Sequence, residues 1–544
     1  MSTGSTAPEE GKGKGWPTGF LGGPLRYAGW TGLAAVVAFV LLTTISPVFN
    51  PPKFDEFIVV YDAHRVASGQ VPYRDFFNFT TPGVFLWLAS VEKVVGQASI
   101  TLGRYAGIGA ILLTVLAAWF LLRRSGWGAA RAGLLASLYA VAIYPFWAVP
   151  SHQWLANAFL VGMLAILSSY PSLALAAWAL AGGLAGLAGL SLQTQGVLAV
   201  TFAGVLLALA PSGKARAAAA FFGGLAAVWV PFLSVLAIAG GLKAFLYDTV
   251  LWTARNYSRT GNENAGAPLQ DLAWRLGDLW DLWVRDPTAA RAFTALVGWL
   301  LYGLLLAAGV TVLVLAVTGL VKTLRQRRVS DPWEAGALAV TFLDLGMYFR
   351  GSINWLHYTY MLGPLLLMWL ALAGRRHWNT GTAGRRVAIA AALLFVAGAG
   401  YALRGWLFHA PAAWEFIDAD RPIRESPANR FLMRPGVLKP GDTVAAFPEG
   451  GEVYLYAAPA AVGYTLFHPL SKEYNDLRDH EIVAGQLRKN RPRYILMPLN
   501  MEQDYLNPRS PVASVLSGGY HRLTGPDFAA VYAIGPAMGS AGPP

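Results

Sequence analysis

Long apolar runs, broken by short polar joints, set the pattern of this 544-residue chain. A helical span of a hydrocarbon core of about 30 Å takes about 20 residues, and about eleven stretches meet that requirement. The first runs from Tyr27 to Val48, the second from Gly103 to Leu122 and the third from Ala129 to Trp147. The fourth returns to Tyr170-Pro171, the fifth is Leu173 to Leu190 and the sixth ends at Pro211. The seventh is Ala217 to Ala239, and the eighth and ninth bracket Lys322 to Arg328. The ninth emerges at Arg350, the tenth runs from near His357 to Arg375, and the eleventh is Val387 to Leu403. The pattern predicts a polytopic α-helical membrane protein.

Two polar stretches interrupt this rhythm and predict large loops on one side, residues 49–102 and 240–291. In the first, Phe57, Val60, Tyr61 and His64 recur at helical spacing and Gly69 supplies a stop, so a helix is expected over 55–69. Asp55 reads there as an N-cap and Glu56 as a first-turn acid favoured by the helix dipole. Thr81-Pro82 then opens a second amphipathic helix, Gly83 to Val95, lying in the interface plane with Glu92-Lys93 on its polar side. From about Trp406 the composition becomes soluble. Short buried strands at Thr443–Phe447 and Tyr494–Met497, with a helix Asp476–Lys489 between them, predict a small α/β domain over 405–534. Residues 1–26 read as a disordered tail and 535–544 as a loose end.

Composition agrees with the pattern: hydrophobic residues make up 55%, charged residues 13%, and mean hydropathy is +0.43. The net charge of +12 raises nucleic acid as a partner, but its distribution argues against it. Arg123-Arg124, Lys214 and Arg216, Lys322 to Arg328, Arg375-Arg376 and Arg385-Arg386 all sit in joints that the span count puts on one side. That is the bias of cytoplasmic loops. The N-terminus is then cytoplasmic, and both large loops and the C-terminal domain are extracytoplasmic, in a plasma (inner) membrane. The chain has no cysteine, which excludes disulfides and thiolate metal sites. No glycine-rich phosphate loop or nucleotide fingerprint is present, and no dense His/Asp/Glu spacing suggests a metal.

Adjacent acids in an external loop have a structural reading, as cap and first turn, and a chemical one. In the chemical reading Asp55 is a general base at the mouth of a membrane cavity. The sequence Asp55-Glu56, then Gly69-Gln70-Val71-Pro72-Tyr73-Arg74-Asp75-Phe76, then Thr81-Pro82-Gly83 resembles the first periplasmic loop of the GT-C glycosyltransferases. The protein mannosyltransferase and aminoarabinose transferase branch is the most similar. Arg350-Gly351-Ser352-Ile353-Asn354-Trp355-Leu356-His357-Tyr358 resembles that branch's His-Tyr segment. The resemblance implies inverting transfer from a polyprenyl-phosphate-linked sugar; the acceptor, a glycan, lipid or protein, stays open, and no cofactor is expected, a divalent ion at Asp55, Glu56 and Asp75 being the alternative. It implies Asp55 as base and Glu56 and Asp75 as supporting acids. Relatives of the aminoarabinose type often carry Lys-Pro-Pro where this chain has Thr80-Thr81-Pro82, so donor phosphate falls to other groups. A phosphate leaving group needs cations in a partly dry site. The groups on the expected face are Arg74, Arg255, Arg259, Arg350, His357 and Tyr358. Each arginine could instead meet lipid headgroups.

Three other readings compete, one of them a non-catalytic membrane scaffold, which would have no need of Asp55. A transporter should carry charges along a midplane path, and Asp344 is the main charge inside the spans. A polymerase or ligase of lipid-linked glycans would share most of the features above.

Overall fold

In the computed structural model, the described residues are 36–41, 43–44, 54–257, 276–281, 284, 288–326, 331–350, 355–376, 381–415, 418–447, 451–463, 477–508, 510–523, 527 and 529–535. Helices dominate. After helical turns at 36–41 and 43–44 come α1 (Phe54–Ala67), α2 (Gly83–Val95), α3 (Ile100–Arg124), α4 (Ala129–Leu138) and α5 (His152–Leu167). Next are α6 (Leu175–Ser191), α7 (Gln193–Ala208), α8 (Lys214–Ile238) and α9 (Leu242–Leu246), which continues as a wider π-helical segment, Tyr247–Tyr257. Then follow α10 (Ala289–Gln326), α11 (Pro332–Arg350), α12 (Trp355–Arg375) and α13 (Gly381–Glu415).

Among the described residues, four helices are long and apolar enough to cross a membrane: Ile100–Arg124, Lys214–Ile238, Arg291–Gln326 and Thr382–Leu403. Shorter apolar helices, such as His152–Leu167 and Leu175–Ser191, pack among them. The outward faces of the long helices stay greasy, with Phe222, Val230, Val235 and Ile238 of α8 all exposed. Water would not tolerate that surface, whereas lipid does. Glycines set the closest approach. A β-carbon on Gly182 of α6 would overlap the carbonyl oxygen of Phe221 in α8, and one on Gly224 would overlap that of Ala179. Small residues let helices without a hydrophobic driving force between them come within dispersion range.

Beyond α13, a four-stranded sheet forms in the order β1-β2-β4-β3, from β1 (Val444–Ala446), β2 (Tyr494–Met497), β3 (Tyr520–Arg522) and β4 (Ala530–Ile534). β1 and β2 are parallel, with Val444 opposite Tyr494. That pairing needs a crossover, and α15 (Leu477–Asn490), following the short α14 (Gly451–Tyr456), lies within it. Alternate strand residues face opposite sides, and both sides are buried. Ala445, Ile495 and Met497 pack with Val483 and Leu487 of α15. Val444, Ala446 and Leu496 pack with Tyr454 of α14 and with Tyr61 of α1. One face of the sheet therefore closes on the first loop.

Candidate active site

α1 carries the adjacent acids, and the structure separates their roles. Both fall in its first turn, so Asp55 lies inside the helix rather than at the N-cap. Asp55 is partly buried, near backbone N–H groups that a helix start leaves without intrahelical partners. Glu56 is fully buried and grips Arg104 of α3 by two bonds, Nε to Oε1 at 2.6 Å and Nη2 to Oε2 at 2.8 Å. Arg104 Nη1 also donates to the carbonyl of Thr44 at 3.1 Å. Glu56 thus braces the helix that presents Asp55, instead of standing beside it as a second acid. Arg104 was missed in the sequence because it reads as the edge of an apolar run.

Asp75 lies elsewhere. Its carboxylate accepts from the backbone N–H of Val71 at 2.7 Å and pairs with Arg74 at 2.7 Å. Arg74's hydrogen bond holds it below the usual carboxylate range, against partial burial, with further lowering from the Val71 N–H and the Arg74 and Arg65 charges. Arg65 is ten positions after Asp55, roughly 15 Å along the helix axis. The structure therefore does not bring Asp55 and Asp75 together. Arg74 is exposed and turned to Asp75 and to the carbonyl of Ala239. Arg255 is exposed on the π-helical segment. Arg350 ends α11 and His357 and Tyr358 lie in the first turn of α12. The side chains of those three, and all of Arg259, lie outside the described residues.

The far end of α1 holds a second buried network that the sequence reading did not single out. Asp62 is fully buried, accepts from Asn78 Nδ2 at 2.9 Å and stands 3.8 Å from Arg65. Burial pushes its carboxyl up to about 6, opposed by Arg65 and Asn78. Arg65 lies over the Phe76 ring and donates to the carbonyls of Val462 and Gly463 in the sheet unit. Tyr61 accepts from the N–H of Ala460 at 2.9 Å. From the sheet side, Asp420 accepts from the N–H groups of Ile100 and Thr101 at the start of α3.

The loop between α1 and α2 is fixed tightly. Tyr73 takes a left-handed φ of 68°, unusual for a side chain of its size. Its hydroxyl donates to the Thr80 carbonyl at 2.7 Å and its ring meets Phe245 edge-on at 5.0 Å. Phe77 and Phe79 both pack on Trp252. The two expected loops therefore share one aromatic seam. α2 starts at Gly83, with Pro82 at its N-cap and no side-chain cap bond. Glu92, on the polar side of α2 as expected, is 2.7 Å from His64 of α1. Among the described residues, no group of three His, Cys, Asp or Glu is placed to hold a metal ion.

A two-helix loop closes one end of an apolar bundle, and a mixed sheet docks on that loop, a fold that solved membrane proteins share. Among solved structures the chain is similar to ArnT from Cupriavidus metallidurans bound to undecaprenyl phosphate. That match has TM-score 0.52 and 13% identity, over 96% of this chain and 100% of that one. It is also similar to the Archaeoglobus fulgidus oligosaccharyltransferase in complex with Zn and sulfate, with TM-score 0.50 and 12% identity, over 93% and 73%. No family model and no curated protein matches the chain by sequence.

Proposed function

We propose that this protein transfers a sugar, hexosyl or pentosyl, from a polyprenyl-phosphate-linked donor to an acceptor hydroxyl on a glycan, lipid or protein. The reaction takes place at the outer face of the plasma membrane. In this reading about eleven spans carry the chain, the N-terminus is cytoplasmic, and the sheet-bearing unit is an extracytoplasmic α/β domain. The observation that carries the reading is Asp55, partly exposed in the first turn of a helix that a buried ion pair locks to the bundle. It occurs in a fold shared, over nearly the whole chain, with a transferase bound to undecaprenyl phosphate.

Asp55 accepts the proton of the acceptor hydroxyl as its oxygen attacks the anomeric carbon. The bond to the donor phosphate breaks on the opposite face, and its electron pair leaves with the polyprenyl phosphate. The configuration inverts. Donor phosphate is held by cations drawn from Arg74, Arg255, Arg259, Arg350 and His357, with Tyr358 as a hydrogen-bond donor. Glu56 acts through Arg104 on the placement of α1, and Asp75 through Arg74.

The test is reconstitution in liposomes with radiolabelled polyprenyl-phosphate sugars and, in parallel, nucleotide sugars. The expected result is label transfer or release from a lipid-linked donor only. Use of nucleotide sugars would overturn the lipid-linked donor, and vectorial movement of a solute with no transfer would favour the transporter.

A further inference from the structure

One buried polar pair has no part in the steps above. Asp344 of α11 and Gln195 in the first turn of α7 are 4% and 1% exposed. Asp344 Oδ1 and Gln195 Oε1 are each buried without a hydrogen-bond partner among the described residues. Most buried polar atoms are satisfied, so each orphan requires an explanation.

Packing puts the two at one level. α7 and α11 run antiparallel: Trp333 meets Phe202 edge-on at 4.8 Å, and a β-carbon on Gly336 would come 2.9 Å from the Phe202 ring. Further along, Val340 lines a void of about 10 Å³ together with Leu198 and Gln195. Asp344 is one turn beyond Val340 on the same face, and Gln195 is one turn before Leu198. Both therefore lie toward the start of α7, where Gln193 Nε2 donates to the Phe79 carbonyl of the first loop at 2.9 Å.

The chemistry of the pair narrows its ligand. A carboxylate among apolar helices is costly unless something answers it. Among the described residues no ion pair engages Asp344 and no metal-binding group includes it. A carboxylate that accepts, beside an amide that both donates and accepts, suits neighbouring hydroxyls of a sugar ring.

We propose that Asp344 and Gln195 form a recognition subsite for the hydroxyl groups of the donor sugar, beneath the first loop. This rests on the donor reading above. The void between the helices holds about one water, so the sugar reaches the pair from the loop side. The polyprenyl phosphate itself is bound elsewhere.

The test compares binding of polyprenyl-phosphate hexose or pentose with that of bare polyprenyl phosphate, on the full chain in nanodiscs. Wild type is expected to prefer a sugar-bearing lipid by about tenfold or more, since a site built for hydroxyls discriminates against their loss. Asp344→Asn and Gln195→Leu should each lose most of that preference while binding bare polyprenyl phosphate as wild type does. Asp344→Asn is isosteric, and it decides the matter if Gln195→Leu fails to bind the bare lipid. An unchanged preference in Asp344→Asn would overturn the subsite and leave the donor reading standing, with the pair holding only water or each other. Equal binding of both lipids by wild type would overturn the subsite as well. If wild type binds neither lipid, the donor reading falls.

Discussion

The Glu56–Arg104 pair is where one residue matters most for stability. Both side chains are 0% exposed. Removing one partner from a buried pair strands the other charge and costs about 3–5 kcal/mol. Glu56→Gln or Arg104→Leu should therefore lower the unfolding midpoint strongly in detergent, and the double replacement by apolar residues should cost less than the two singles summed. Asp62 gives a pH signature. Its folded carboxyl titrates near 6, above its ordinary 3.8, because burial disfavours the charge. Such a group contributes stability fully below the unfolded value and loses it as pH rises through the folded one. Two units correspond to about 3 kcal/mol. Stability should thus fall between about pH 4 and 6, and Asp62→Asn should flatten that segment of the profile. A profile identical to wild type would contradict the burial assignment. Asp55-Glu56 stood out in the sequence because carboxylates are rare in such a chain. The division of roles was not legible, since Arg104's partner is 48 positions away.

At the scale of elements, hydrophobic runs and turn residues located most helices, and Gly69 ends α1 with a φ of 92° as its position suggested. The strand expected at Tyr494–Met497 is β2, and the helix expected at Asp476–Lys489 is α15. Two elements departed. The third run bends, passing from α4 into a π-helical turn at Tyr139–Ile143 and a 3-10 turn at Tyr144–Trp147, which periodicity does not encode. The Phe245–Trp252 stretch forms a helix that widens to π geometry and packs on the first loop. Helix contacts built on glycine yield a direct expectation. Gly182→Val should force α6 and α8 apart and lower the thermal midpoint by several degrees, whereas Gly204→Val, with open space around it, should not. Equal effects would argue against the close approach.

For the whole molecule, the sheet unit and the first loop are packed against each other. Tyr61 fills the sheet's lower face, Arg65 reaches the Val462 and Gly463 carbonyls, and Asp420 meets the start of α3. Arg65→Met should expose the junction to limited proteolysis before any span unfolds. The composition shift near Trp406 led to the expectation of a soluble α/β domain, but a sequence carries no sign of which face of a sheet will meet which loop. The central claim is that Asp55 removes the acceptor's proton, and single-turnover sugar transfer by Asp55→Asn against wild type in the same liposomes tests it most directly. The account predicts a loss of about 10²–10⁴-fold with donor lipid still bound. Transfer at the wild-type rate would contradict it.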